Sequence, residues 1–346
     1  MEKITRIGMD TSKSVFQLHG VDEAEQVVLR KKLTRKAMIS FFEKLPATIV
    51  GIEACGGAHH WARLLGSFGH QVRLLPAQYV KPYVKRGKND AADAEAICEA
   101  MSRPSMRVVP MKSLQQQSAQ MLIGVRQQLI CRRTQLSNAI RGYAAEFGLV
   151  APKGIVRIEP LLARIDEDTE IPALARRLFR MHAVEHAQLK AQLQKVEVML
   201  MALHRENEVS RRLAQVPGIG PIGATLLTTK VTDAKAFGCG RNFAAWIGLT
   251  PKNHSTGGKT RLGAITRAGD EMLRSTLVLG ATAVIQHVRR GRGHPSPWLV
   301  ALLKRKPPKL AAVALANKIA RVVWKLMVSG QHYIPNHGVS VTTAMA

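Results

Sequence analysis

Four acidic residues stand at spacings that tie the first third of this chain to one arrangement of strands and a helix. Asp10 lies in ITRIGMDTSK, Glu53 in TIVGIEACGG, and Asp90 and Asp93 in KRGKNDAADAEAICEAM. The first two end short apolar runs of strand type. The last two are three apart in a helical segment, so both face one side. The chain holds 51 Lys+Arg against 24 Asp+Glu, a formal net charge of +27. Carboxylates that converge in so basic a chain point to divalent-metal binding beside a phosphate backbone.

The length of 346 residues allows two domains, and 46% hydrophobic residues allow a sizeable core. A pI near 10.6 calls for a polyanion, either nucleic acid or an acidic membrane surface. The membrane reading is poor, because no apolar stretch reaches the roughly 18 residues of a spanning helix. The start MEKITRIGMD also lacks the regions of a signal peptide. Cys55, Cys98, Cys131 and Cys239 are scattered, with no CxxC or Cys/His ligand pair. That speaks against zinc and for reduced, cytosolic thiols. With the basic charge, a cytoplasmic, nucleoid-associated protein is expected. The adjacent His59 and His60 suit packing or a phosphate contact better than a shared ligand shell.

Along the chain, residues 1–30 alternate polar and apolar and read as strands, with Gly20–Asp22 as a hairpin turn. Helix is expected over 34–45, strand over ATIVGIEA, helix over WARLLGSFG, strand over QVRLLP, and helix from about Asn89 to Met101. That order predicts an RNase H-like (RuvC-like) α/β domain over 1–105. Pro104 and Pro110 bracket a linker that opens a long helical, coiled-coil-type region over 106–210. Its first helix places Leu122, Val125, Leu129, Leu136, Ala139 and Tyr143 on one stripe. Residues 151–180 read as irregular. A second helix over about 175–207 carries Leu189, Leu193, Val196, Leu200 and Leu203 at coiled-coil steps, a seam that closes within one chain or between two.

A mainly α-helical domain is expected over 211–330, followed by a tail over 331–346. VPGIGPIGATLL reads either as an ordinary Gly/Pro helix turn or, favoured by the basic stretch that follows, as a helix-hairpin-helix-like element in which Gly218 and Gly220 let backbone N–H groups cradle a phosphate. From Arg241 to Lys325 there are sixteen Lys and Arg against only Asp270 and Glu271. Arg289, Arg290 and Arg292 form one cluster without interleaved acids, which points to a phosphate backbone. Aromatic residues are only 5% of the chain, so base stacking is not expected to dominate affinity.

In an RNase H-like fold, Asp10, Glu53, Asp90 and Asp93 would meet at one point. Their mutual repulsion is tolerable only with cations present, and Mg²⁺ or Mn²⁺ suits the all-oxygen donor set. Separately, LTPKNHSTGGKTRLGAITRAGDEMLR sets Ser255 and Thr256 before Gly257 and Gly258, among Lys259, Arg261 and Arg267. By itself this segment is either a phosphate-binding turn or a nucleophile with cations to stabilise a pentacoordinate phosphate. IGMDTSK is also similar to the first phosphate loop of actin-like and sugar-kinase ATPases. That fold needs a second Asp-Gly-Gly-type loop and an adenosine loop, which no later segment supplies.

Taken together, GMDTSKSVFQ, GIEACGGAHHWAR, PAQYVKPYVKRGKNDAADAEAI, VPGIGPIGA and GLTPKNHSTGGKTRLGAITRAGDEMLR closely resemble the DEDD transposases of the insertion-sequence 110 family, above all its insertion-sequence 1111 subgroup. The resemblance covers nearly the whole chain. It implies that Asp10, Glu53, Asp90 and Asp93 are the DEDD set, and that a second domain carries a catalytic serine. It implies DNA exchange through a covalent phosphoserine, the serine and the metal site acting together from different protomers. It further implies donor and target DNA duplexes as partners, a structured non-coding bridge RNA that pairs with both, and a homo-oligomer, dimer or tetramer. In many relatives the serine directly precedes the glycine. Here Thr256 holds that place and Ser255 lies one residue earlier. A primary hydroxyl attacks phosphorus with less crowding than a β-branched one, so the nucleophile is assigned to Ser255, with Thr256 as the alternative. Two other functions fit parts of the pattern: a RuvC-like junction nuclease that cuts by water, and a non-catalytic RNA- and DNA-binding scaffold.

Overall fold

The computed structural model describes residues 4–85, 89–259, 261–292 and 295–334. Most of the expected tail, 335–346, lies outside them. The chain forms two compact units, Met1–Ser113 and Leu114–Ala346. The expected middle helices and the C-terminal domain therefore share one unit.

The first unit is built on a five-stranded mixed sheet of order β3-β2-β1-β4-β5. Its strands are β1 (Arg6–Thr11), β2 (Val15–Val21), β3 (Val27–Thr34), β4 (Ile49–Glu53) and β5 (Gln71–Leu75). The first three run antiparallel as a meander, while β4 and β5 run parallel to β1. The hairpin turn falls at Asp22–Gln26, not at Gly20–Asp22, and Gly20 lies inside β2. The Asp22 carboxylate makes that turn by accepting the N–H groups of Ala24 and Gln26 at 2.9 and 2.8 Å.

Alternation along β1 and β4 divides the sheet into two faces. Ile7, Met9, Val50 and Ile52 are fully buried with Met38 and Phe42 of α1 (Arg35–Lys44) and Trp61 and Leu65 of α2 (Ala58–Ser67). The other face carries Gly8, Asp10, Gly51 and Glu53, and α4 (Asp90–Ala100) lies across it. The short α3 (Ala77–Val80) precedes it.

The second unit is helical: α5 (Leu114–Glu146), α6 (Ile158–Glu167), α7 (Ala173–Glu206), α8 (Glu208–Leu213), α9 (Pro221–Lys230), α10 (Gly240–Ile247), α11 (Glu271–Arg289), α12 (Pro297–Arg305) and α13 (Pro308–Ser329). A small hairpin, β6 (Pro251–Asn253) and β7 (Leu262–Ile265), interrupts it. The stretch 151–180 is not irregular throughout. Ile158, Leu161 and Ile165 form the buried side of α6, and Pro160 sits in its first turn, where a missing N–H breaks no helical bond. Leu189, Leu193, Val196 and Leu200 are buried within this unit, where α7 packs along α5. The α5 stripe is rotated from the expected one. Ile123, Leu129, Leu136, Ile140 and Ala144 are buried, while Tyr143 is exposed and stacks on His182. Among the described residues no helix is long and apolar enough to cross a membrane.

Candidate functional site

Asp10 and Glu53 each stand one residue beyond the last recorded pair of the parallel β1–β4 ladder, Met9 with Ile52. They are therefore neighbours on the face covered by α4. Two glycines set how close that helix comes. A Cβ at Gly8 would overlap the Ala94 carbonyl oxygen and stand 2.5 Å from the Cys98 nitrogen. A Cβ at Gly51 would stand 2.6 Å from the Met101 sulfur. Asn89 caps α4 by accepting the Ala91 N–H at 3.0 Å, which places Asp90 and Asp93 in the first turn. The helix dipole there favours both carboxylates.

The four acids share one electrostatic field. Partial burial, then the charges of Asp90 and Asp93 and more weakly Glu53, push the Asp10 carboxyl up to about 6 from an ordinary 3.8. Burial and the Asp93 charge likewise raise Glu53. Among the described residues no three Asp, Glu, His or Cys side chains are gathered into a ready ligand shell. The four carboxylates thus lie on the α4 side of the sheet without a preformed coordination sphere among the described residues. Bare like charges repel, and closing them round an ion needs the ion's charge. The donor chemistry, hard carboxylate oxygens, fits a divalent cation such as Mg²⁺ or Mn²⁺.

His59, which the sequence left between packing and phosphate contact, has a structural task. Its Nδ1 accepts the Lys112 N–H at 3.2 Å, and Arg63 donates to the Lys112 carbonyl at 2.6 Å. With Val109 donating to Leu74 at 2.7 Å, these bonds fasten residues 109–112 to the sheet's β5 side.

In the second unit Ser255 and Thr256 lie in the β6–β7 connection. Gly257 and Gly258 both take positive φ, 54° and 77°, and Thr256 bridges to Lys259 across them. Two consecutive left-handed residues are what a type I′ turn requires, so backbone geometry is one reason for the glycine pair. The Ser255 hydroxyl donates to the Asn253 carboxamide oxygen and accepts the Arg261 N–H at 3.0 Å. Among the described residues the Thr256 hydroxyl makes no hydrogen bond. Sequence reasoning passed over Asn253; an Asx residue two before a serine is the signal for such a turn. Lys259 and Arg261 are exposed on the hairpin.

Arg267 adopts a left-handed φ of 57°, a strain of about 1 kcal/mol outside glycine. It is held there by its N–H to Gly248 at 3.2 Å and by Arg274, which donates to the Ile247 and Ala268 carbonyls at 3.1 and 3.0 Å. Gly218, expected to free backbone N–H groups for a phosphate, takes a left-handed φ of 91°, and a Cβ there would stand 3.1 Å from the Gly280 carbonyl of α11. Gly220 is exposed at the start of α9. Arg289, Arg290 and Arg292 cluster at the C-terminal end of α11, where they also complement the helix dipole. Asp270 is held by Lys230 at 2.9 Å, and none of the sixteen cations between Arg241 and Lys325 has an ion pair among the described residues.

The profile of the transposase IS116/IS110/IS902 family matches residues 210–294, and the DEDD_Tnp_IS110 transposase profile matches residues 7–147. The transposase y4pF/y4sB of Sinorhizobium fredii is 63% identical over 344 residues, covering 99% of this chain and 89% of that protein. The transposase for insertion sequence element IS1328 of Yersinia enterocolitica is 39% identical, covering 95% of this chain and 98% of its own. The transposase for IS1111A of Coxiella burnetii is 38% identical, covering 96% and 92%.

These families and relatives are transposases, enzymes that cleave and join DNA. The chain belongs to the IS110 family of insertion-sequence transposases, in common with IS1111-type relatives. The DEDD family implies an RNase H-like fold, to which the mixed sheet of the first unit conforms.

Proposed function

We propose that this transposase cuts and rejoins DNA through a covalent phosphoserine on Ser255, with Asp10, Glu53, Asp90 and Asp93 as the holders of Mg²⁺ or Mn²⁺. The observation that carries the acidic half is geometric: Asp10 and Glu53 stand side by side at the ends of β1 and β4, on the face that α4 covers with Asp90 and Asp93 in its first turn. Four carboxylates kept in one field, in a chain of net charge +27, are explained by a cation that compensates them. When bound, the ions would offset negative charge on the scissile phosphate.

The chain's own residues supply the rest. Asn253 holds the proton side of the Ser255 hydroxyl, and the Arg261 N–H occupies one lone pair, leaving the other free to face phosphorus. Attack forms the Oγ–P bond and breaks the P–O bond to one strand, whose oxygen leaves with a proton. A hydroxyl from another strand then displaces Ser255, which recovers its proton. One phosphodiester is exchanged for another, so no ATP is required. Lys259, Arg261 and Arg267 would neutralise charge on the phosphate, while Arg289, Arg290 and Arg292, with the backbone at Gly218 and Gly220, would hold nucleic acid. Donor and target DNA, a structured guide RNA and a homo-oligomer complete the reading, supported by the family resemblance and by the basic charge.

Thr256 is the competing nucleophile, favoured by a hydroxyl that makes no hydrogen bond among the described residues. The reading is tested by Mg²⁺-dependent cleavage with Asp10→Asn, which should abolish cutting and retain DNA binding. Loss of binding in parallel with cutting would assign Asp10 to folding instead.

A further inference from the structure

We propose that the outer strand β3 carries a track for a DNA backbone leading to the acidic cluster, with Arg30 and Lys32 as its phosphate contacts. The proposal rests on the reading of the four acids as the cleavage site. Sheet register supplies the geometry. Asp10 pairs with Gln17, and Gln17 pairs with Lys32, so the three residues form one row across β1, β2 and β3. Gly8, His19 and Arg30 form a parallel row on the same face. Residues directly opposite in a sheet project to the same side. Arg30 and Lys32 therefore stand on the Asp10 face, the side covered by α4, and not on the face packed against α1. Two strand spacings put the Lys32 Cα roughly 10 Å from that of Asp10. At about 3.4 Å of duplex axis per nucleotide, that distance corresponds to about three nucleotides.

Among the described residues none of the strand's cations has an ion pair of its own. From Arg30 to Lys36 the chain reads RKKLTRK, five cations in seven residues, and the flanking acids in sequence are Glu25 and Glu43. All five are exposed. Two of them have structural work: Lys31 lies 5.1 Å from the centre of the Phe41 ring on the opposite face. Arg35 stacks at 4.7 Å on Trp61 and donates to the Lys13 carbonyl at 3.1 Å. Arg30 and Lys32 make no ion pair within 4.0 Å among the described residues. Glu95 of α4 feels the Arg30 charge but is already bound by Lys85 at 2.5 Å, and the adjoining His19 is buried. Lysine on an edge strand also discourages pairing with a second sheet, and that explanation applies to either face. A backbone track needs the cations on the face of the acids, where Arg30 and Lys32 are.

The test uses the full chain with two probes, a short mixed-sequence DNA duplex and an RNA duplex of the same sequence. Affinities are measured against salt for wild type, for Arg30→Gln with Lys32→Gln, and for Lys36→Gln with Lys44→Gln. The last pair removes the same charge from α1, on the other face. Loss of two phosphate contacts should make the log–log salt slope shallower by about two on DNA for the β3 variant alone. The charge-preserving pair Arg30→Lys with Lys32→Arg should keep the wild-type slope, which separates lost contacts from misfolding. A shallower slope on DNA, alone or together with RNA, supports the track. A change confined to RNA would overturn it and assign the surface to an RNA. An unchanged slope on both probes would overturn it and leave the cations as guards of the edge. Asp10→Asn, which tests the acids through cleavage, should leave every slope as in wild type, so failure of one reading is distinct from failure of the other.

Discussion

Gly8 of β1 lies directly against the Ala94 carbonyl of α4, with no room between them for a methyl group. This closeness brings the first turn of α4, with Asp90 and Asp93, over Asp10 and Glu53. Gly8→Ala should push α4 off the sheet, lowering stability by roughly 1–3 kcal/mol. It should also abolish strand cleavage although all four acids remain. Gly51→Ala should be milder, since the atom in its way is the movable end of Met101. Urea melts and a cleavage assay on both variants check this. A Gly8→Ala protein as stable and active as wild type would mean that the helix is held by other contacts.

The raised Asp10 carboxyl has a consequence for stability. Its folded value, about 6, lies above the ordinary 3.8, so between those values the folded state binds more protons than the unfolded one. Without divalent metal, this group's contribution to stability should fall as pH rises from about 4 to 6. Asp10→Asn should remove that component, and Mg²⁺ should raise the melting temperature of wild type more at pH 7.5 than at pH 4.5. Melting curves of both proteins with and without Mg²⁺ give the difference. Identical pH dependence in the two would contradict the shared field.

Leu193 and Leu200 face the interior of their own unit, at 5% and 1% exposure, where α7 packs along α5. Leu200→Glu should therefore unfold this unit instead of separating protomers, at a loss on the order of 3–5 kcal/mol. Circular dichroism should show lost helix and an early melt. A well-folded variant of lower mass in light scattering would place the seam between chains.

Nucleic-acid affinity should fall steeply with salt, and replacing Arg289, Arg290 and Arg292 together by Ala should make the slope shallower by about two to three. Titrations at several ionic strengths measure it. An unchanged slope would leave these arginines as a helix C-terminal cap.

Much of this was legible in the sequence because it depends on period and spacing. Alternation in GMDTSK and TIVGIEA fixes which way Asp10 and Glu53 project, and the Asn89 cap marks where α4 begins. A glycine suggests the hairpin turn at Gly20, but it lies beyond, because the Asp22 carboxylate and a left-handed Glu25 make it. Helix α6 was hidden by Pro160, which is harmless in a first turn. The α5 stripe was misjudged because several residues of this helix are only partly buried, and the neighbouring α7 decides which face is covered. Long-range pairings such as His59 with Lys112, or Gly218 with Gly280, leave no local pattern to read.

The most direct measurement concerns Ser255. A strand-exchange reaction on DNA carrying the element's ends is stopped in denaturant, protease-sensitive DNA is isolated, and the modified peptide is mapped by mass spectrometry. The expected result is an adduct on Ser255 that disappears in Ser255→Ala, while that variant still binds DNA and is still stabilised by Mg²⁺. Thr256→Ala should retain the adduct, formed more slowly. An adduct on Thr256, or an active Ser255→Ala enzyme, would contradict the assignment, and efficient cutting without any adduct would replace the phosphoserine route by hydrolysis.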